Sequence, residues 1–404
     1  MQVVNERCAG LDVHQRTVVG CVRTSAGHQT RTFGTTTEAL LELGAWLIGE
    51  HITHVAMEST GVYWQPVFNL LEGLGLEVLV VNARHVKQVP GRKTDVKDAE
   101  WLADLLRHGL LRGSAIPDRA RRELRELVRY RVGLIRQRAQ VVNRIHKLLE
   151  AANLKLSSVL SDVSGVTGRA ILQALVDGTT DPAALAGLAR GRALGKRAQL
   201  SAALRGSFGP HQRVLLGSQL RHLDFLDAEI AALNTEVSSR LAAHAAILER
   251  LDAIPGVGQR VAEQVLAEIG PEVGRFPTAA HLASWAGLCP GNNESAGKRL
   301  SGRTRKGNVW LRSALVEAAW GASHARQTYL AAQYRRLAAR RGAKRALIAV
   351  AHSLVVIIYH VLRDATEYHE LGANYFDERD RQATVRRSIR RIERLGYRVT
   401  LEAA

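Results

Sequence analysis

The hydrophobic period changes near residue 113, and that change limits the fold more than any other feature of the chain. Before it, Cys8–Val13 and residues 17–23 are short apolar, β-prone runs parted by a polar turn, and residues 29–34 read as a third antiparallel strand. Thr37–Gly49 has helical spacing, residues 54–57 are strand-like, residues 62–74 are helical again, and Glu77–Val81 has the composition of a buried strand. This order predicts a mixed sheet with helices packed on it. Beyond it the pattern is helical. Residues 118–152 form one long helix with Leu124, Val128, Ile135, Val142, Ile145 and Leu149 near one stripe. Leu216, Leu220, Leu223, Leu226, Ile230, Leu233, Val237 and Leu241 recur at three- and four-residue steps, as a coiled-coil seam or a helical hairpin and a candidate dimer contact. The fold class expected is α+β followed by α.

Charge narrows the function. Lys and Arg outnumber Asp and Glu 56 to 38 in 404 residues, a formal net charge of +18. Such an excess points to a polyanionic partner, with nucleic acid first. Half of it falls between Arg107 and Lys147, where twelve basic residues meet three acidic ones, either lying along nucleic acid or forming a plain charged helix face. The three cysteines have no metal-ligand spacing and are expected as free thiols in a reducing compartment. The start of the chain lacks the pattern of a secretion signal. The most apolar run, residues 346–361, contains His352, Ser353 and His360 and reads as a buried helix too short to cross a bilayer. These features predict a cytoplasmic protein without a membrane partner.

Three motifs carry chemistry. Asp12 ends the first strand, Glu58 ends the next buried strand, and Asp95 and Asp98 lie three apart on one helix face behind Thr94. Carboxylates leaving strand ends and meeting a helix face offer oxygen ligands to Mg²⁺, and two such ions can clamp an in-line phosphoryl transfer. Taken singly, each also reads as a turn former or a helix cap. The second motif is a polar, glycine-punctuated loop holding Ser295, followed by Lys298, Arg299, Arg303, Arg305, Lys306 and Asn308. From Lys298 to Arg312 there are six basic residues and no acidic one. Cations beside a hydroxyl stabilise both the phosphodiester and the developing alkoxide. The third is Ile254-Pro-Gly-Val-Gly258 before an alanine-rich helix, where Gly256 and Gly258 make a turn whose amides can hold a phosphate, as in helix-hairpin-helix elements.

The order of these parts resembles the DEDD transposases of the insertion sequence 110 family, which includes bridge-RNA-guided recombinases. The resemblance rests on Asp12 in AGLDVHQRT, Glu58 in MESTGVYW, Asp95 and Asp98 in GRKTDVKDAEWLADL, Ser295 after Gly-Leu-x-Pro, and KGNVWLRSAL. It implies a RuvC-like, RNase H-like domain over residues 1–113, a helical or coiled-coil linker and dimerisation region over 114–250, and a transposase domain over 251–366 with the helix-hairpin-helix and the serine. A basic tail over 367–404 would order on binding. It further implies Mg²⁺ on the four carboxylates, Ser295 as nucleophile with a phosphoserine intermediate, donor and target DNA, and a guide RNA. It also implies a homo-oligomer, dimer or tetramer, in which serine and carboxylates come from different subunits. Ala296 stands between Ser295 and Gly297 where many members read Ser-Gly directly, so the direct pair Ser301-Gly302 is the rival nucleophile. Two other readings stay open: a Mg²⁺-dependent nuclease resolving branched DNA with the carboxylates alone, and a non-enzymatic helix-hairpin-helix DNA-binding protein.

Overall fold

The computed structural model describes residues 2–59, 61–82, 86, 98–291 and 293–402, with the backbone alone at 293–295, 299 and 300. The chain divides into two compact units, Met1–Asp118 and Arg119–Ala404.

The first unit is a five-stranded mixed sheet in the order β3-β2-β1-β4-β5. Strands β1 (Cys8–Val13), β2 (Thr17–Thr24) and β3 (Gly27–Gly34) form an antiparallel meander. β4 (His54–Glu58) and β5 (Glu77–Val81) run parallel to β1, each reached through a helix, α1 (Thr37–Gly49) and α2 (Trp64–Gly73). Thr36 caps α1, its hydroxyl accepting from the Ala39 amide.

Side chains alternate across the sheet, so each strand splits between two faces. Ala9, Leu11, Val13, Val55 and Met57 share one core with Leu43 and Leu47 of α1 and Val67, Phe68 and Leu71 of α2. The opposite set meets α3 (Asp98–Arg107): Cys8 and Ala56 pack with Leu106, and Cys21 packs with Ala99 and Ala103. Cys8 and Cys21 are buried free thiols, and burial pushes Cys8 up to about 11, so it behaves as a small apolar side chain.

The second unit holds two cores. Helix α4 (Arg119–Ala151, 33 residues) is roughly 50 Å long at the α-helical rise and belongs to both cores. After α5 (Val166–Val176) and short helical turns, α6 (Pro210–Arg240) runs back along it. Partners descend on α6 as they ascend on α4: Glu123 with Arg240, Arg131 with Asn234, Arg138 with Asp227. Leu216, Leu220, Leu223 and Leu226 are buried against α4 and α5. The leucine seam is therefore filled within the chain as an antiparallel helical hairpin.

The other core gathers Leu124 and Val128 of α4 and Val237 of α6 with α7 (Ala245–Asp252), α8 (Gln259–Ile269), α9 (Ala279–Trp285), α10 (Val309–His324), α11 (Tyr329–Arg341) and α12 (Ala343–Asp364). Three expectations change here. The Ser295 segment is a two-stranded hairpin, β6 (Asn293–Ser295) and β7 (Lys298–Ser301). The helical spacing of residues 329–366 predicts one helix, but it is broken at Gly342, whose φ of +81° belongs to neither α11 nor α12. At 22 residues α12 is long and apolar enough to cross a membrane, contrary to the shorter run expected. It nevertheless buries Val350, Leu354, Val355 and Ile358 in this core, and the Tyr359 hydroxyl donates to the Phe276 carbonyl at 3.0 Å. In the tail, α13 (Tyr375–Arg379) stacks Phe376 on Tyr329, and α14 (Arg381–Glu393) follows.

Candidate active site and nucleic-acid interface

In the first unit the pleat sets the described carboxylates on one face of the sheet, and one glycine sets how the covering helix lies on it. Cys8 and Gly10 face α3, so Asp12, two residues on, lies on that same face. Ala56 faces α3 as well, which puts Glu58 there. Leu11 is paired with Met57, so Asp12 and Glu58 sit on adjacent strands one step beyond, at the ends of β1 and β4. Asp98 opens α3 on that face, with Glu100 beside it in the first turn, where the helix dipole favours negative charge.

Gly10 sets how closely α3 approaches. A Cβ there would lie 2.2 Å from the Ala99 carbonyl oxygen and 2.4 Å from the Ala103 nitrogen, both backbone atoms. Only glycine lets the helix lie on β1, one residue from Asp98. We predict that Gly10→Ala displaces α3, destabilises the protein by about 1–3 kcal/mol and slows strand cleavage on the order of a hundredfold. Urea midpoints and cleavage rates check this, and wild-type cleavage by a destabilised variant would show that the site does not depend on where α3 sits.

Asp95, with Lys93, Thr94 and Lys97, lies outside the described residues. Among the described residues no three His, Cys, Asp or Glu side chains form a metal cage by themselves. The donor chemistry fits a hard cation, since the carboxylates at the two strand ends and the helix start offer only oxygen. Sequence reasoning passed over His14: its Nε2 lies 3.1 Å from Asp12 Oδ2, and a two-residue offset across a strand end was the available signal.

In the second unit the hairpin presents Ser295 beside its tip. Ser295 pairs with Lys298 across a two-residue turn, Ala296 and Gly297, with φ of +49° and +74°. Positive φ at both positions matches the twist of a tight hairpin, and alanine concealed it because Asn-Gly or Gly-Gly is the usual signature. Arg299 pairs through its backbone with Glu294, and Ser301 pairs with Asn293 at the far end. The Ser301 hydroxyl accepts from the Arg303 amide at 3.2 Å. Gly287 and Gly307 clamp the base, because a Cβ on Gly307 would meet the Gly287 nitrogen at 2.3 Å. The Gly-Leu-x-Pro and Lys-Gly-Asn flanks thus hold the two legs together.

Lys298, Arg303, Arg305 and Lys306 are exposed. Asn308 is engaged within the protein: its Oδ1 caps α10 through the Trp310 and Leu311 amides, and its Nδ2 donates to Glu268 at 2.7 Å. The two turn glycines differ. Gly256, at φ +86°, presses on the backbone of α10, 2.2 Å from the Ala318 oxygen by its absent Cβ. Gly258 is exposed, opens α8 in extended conformation, and has nothing within 4 Å of that position. The turn therefore keeps one open helix start, at Gly258, beside one packed glycine.

Several arginines of α4 are spent inside the unit rather than on a solvent face. Arg129 forks onto the fully buried Glu268 at 2.7 and 2.9 Å, and Arg125 donates to the Ala267 carbonyl at 3.0 Å. Burial pushes Arg125 down to about 10, partly offset by Glu268, so it stays charged at neutral pH. Arg131, 1% exposed, meets the buried Glu263 at 2.5 Å. These cations tie α4 to α8, a role that neither reading of the basic stretch, nucleic-acid contact or plain charged helix face, gave them.

The family comparisons follow this layout. Residues 9–153 match the DEDD transposase model of IS110 elements, and residues 248–335 match the model described as the transposase IS116/IS110/IS902 family. An insertion element IS110 protein of 43.6 kDa from Streptomyces coelicolor is 30% identical over 304 residues, 69% of this chain and 73% of its own. The transposase for insertion sequence element IS1111A of Coxiella burnetii is 25% identical over 325 residues, 78% of this chain and 79% of its own. A putative transposase of Sinorhizobium fredii is 28% identical over 339 residues, covering 74% of this chain and 73% of its own. DEDD membership implies a divalent metal and a DNA substrate. With acidic strand ends in one unit, a clamped basic hairpin in the other and both family models matched in order, the chain belongs to the IS110 family of insertion-element transposases, carrying a DEDD domain and the family's second transposase domain.

Proposed function

We propose that this transposase cuts and rejoins DNA by serine chemistry at a composite site, guided by an RNA that its element encodes. The placement of Asp12, Glu58 and Asp98 on one face of the sheet carries the reading. The meander joined to two parallel strands is read as RNase H-like, with Asp95 as the fourth carboxylate. These four residues would hold Mg²⁺, which when bound supplies positive charge to the scissile phosphate.

Ser295 Oγ attacks phosphorus, giving up its proton as the new ester bond forms. The bond to the leaving 3′ oxygen breaks, and that oxygen takes a proton as a free 3′ hydroxyl. A 3′ hydroxyl from the exchanged strand then attacks the phosphoserine and releases the serine, so no bond energy is lost to water. Lys298, Arg299, Arg303, Arg305 and Lys306 counter the charge that builds on the phosphate. The amides at Gly258 are read as a phosphate contact, and Gly256 as the residue that shapes their turn. Serine and carboxylates are assigned to different subunits of a dimer or tetramer, and the division at 113, 250 and 366 is kept as the functional one.

Asp12→Asn tests the reading. It is expected to reduce strand cleavage to background while nucleic-acid binding is kept or slightly tightened, because an anionic ligand and a charge that repels phosphate are lost together. The measurement is cleavage of labelled donor DNA with Mg²⁺ and the RNA recovered from the purified protein. Recombination at the wild-type rate would remove Asp12 from the mechanism, and cleavage indifferent to that RNA would remove the guide.

A further inference from the structure

A cavity of about 1270 Å³ in the second unit is lined by seven Lys and Arg residues and by no described Asp or Glu. It is larger than the roughly 300–1,000 Å³ of a typical small-molecule cleft. One wall is the leg that leaves the serine hairpin, with Arg303, Arg305 and Lys306. The other is the corner between α11 and α12, with Arg341, Lys344 and Arg345. The break at Gly342 makes this corner: it turns the chain between the basic end of α11 and the basic start of α12.

What separates these cations from those of α4 is their pairing. Arg125, Arg129 and Arg131 are each engaged by carbonyls or carboxylates of the protein. Among the described residues none of the six cations on the two walls makes an ion pair or a side-chain hydrogen bond, and all six are exposed. Like charges gathered around one space repel, and a polyanion relieves them. The floor is apolar, with Leu288, Ile348 and Ala349. Among the described lining residues there is no Phe, Tyr or Trp and the single imidazole is His352, so the seven cations dominate the lining and favour contacts to phosphate and sugar.

We propose that this cleft is a phosphodiester-backbone site, which holds one nucleic-acid strand beside the serine hairpin whatever its base sequence. The inference rests on the nucleic-acid reading above and not on which serine attacks.

The test is the full-length triple variant Arg341→Gln/Lys344→Gln/Arg345→Gln, with short labelled single strands of DNA and of RNA titrated across a salt series. Each single-strand phosphate contact adds about 0.7 to the salt slope, so three lost contacts should lower it by about 2. The variant's affinity should then fall roughly twentyfold less than the wild type's between 50 and 200 mM salt. Scrambling the probe sequence should leave the difference unchanged. The probe that shows the loss, DNA or RNA, names the strand held. A matched control, Arg386→Gln/Arg387→Gln/Arg390→Gln on α14, removes the same charge elsewhere and should change the slope less. If the triple variant misfolds by circular dichroism, Lys344→Gln alone should lower the slope by about 0.7.

Wild-type slope and affinity on both probes would overturn the proposal, as would an equal loss in the α14 control. A difference that disappears on scrambling would also overturn it, by showing base readout. A wild type that never forms a serine adduct would defeat the mechanism proposed above yet leave the slope result standing.

Discussion

Ser295→Ala is expected to retain folding and nucleic-acid binding while losing all covalent protein–DNA adduct. Alanine has no group to form the phosphoester, so the loss is complete rather than graded. Ser301→Ala is expected to keep the adduct. Ser301 sits at the base of the hairpin with its hydroxyl accepting from the Arg303 amide, whereas Ser295 flanks the turn opposite Lys298. The measurement is a denaturing gel of labelled donor DNA incubated with protein, Mg²⁺ and RNA, read for a protease-sensitive shifted band. A band that survives in Ser295→Ala and vanishes in Ser301→Ala would transfer the role to Ser301. Cleavage by the wild type with no adduct under any condition would make water the nucleophile and favour the resolvase reading.

The largest stability effect is expected at the buried pair between α4 and α8. Arg131 is 1% exposed and Glu263 fully buried, and their contact is 2.5 Å. Asn234 also accepts from Arg131 at 3.2 Å, and Arg260 reaches Glu263 at 2.8 Å. Arg131→Met leaves the Glu263 carboxylate buried without its main partner, which costs about 3–5 kcal/mol. The double variant Arg131→Met/Glu263→Met is expected to recover most of that loss, because no charge is then left stranded. Urea unfolding followed by tryptophan fluorescence measures both. If the double variant is no more stable than the single one, the loss comes from packing around Arg131 rather than from the unpaired charge.

These two outcomes differ in how much of them local sequence could foretell. Strands Cys8–Val13 and Glu77–Val81 and helix Thr37–Gly49 were legible because periods of 2 and 3.6 report which residues share a face. Asp12 interrupts an apolar run and Glu58 closes one, while Asp98 stood out by its three-residue spacing from Asp95 at a helix start. The hairpin at Ser295 was not legible, since Ala296 adopts a conformation that alanine rarely takes. Nor was the break at Gly342, where one glycine divides an otherwise continuous helical pattern.

What the sequence by itself determined is the layer architecture, the acidic strand ends and the basic excess, since each follows from residue type and short-range spacing. Only tertiary structure decided what each face and charge meets. The leucines of α6 could have met a second chain, and they met α4 and α5. Arg129 and Arg131 look like Arg303 and Arg341 in sequence, yet the first two oppose Glu268 and Glu263 of α8 while the others line a cleft with no acid among its described residues. Gly10 looks like any strand glycine until the Ala99 carbonyl lies where its Cβ would be. Periodicity records that a side chain is turned toward something, but the partner comes from residues distant in the chain, and only packing brings those together.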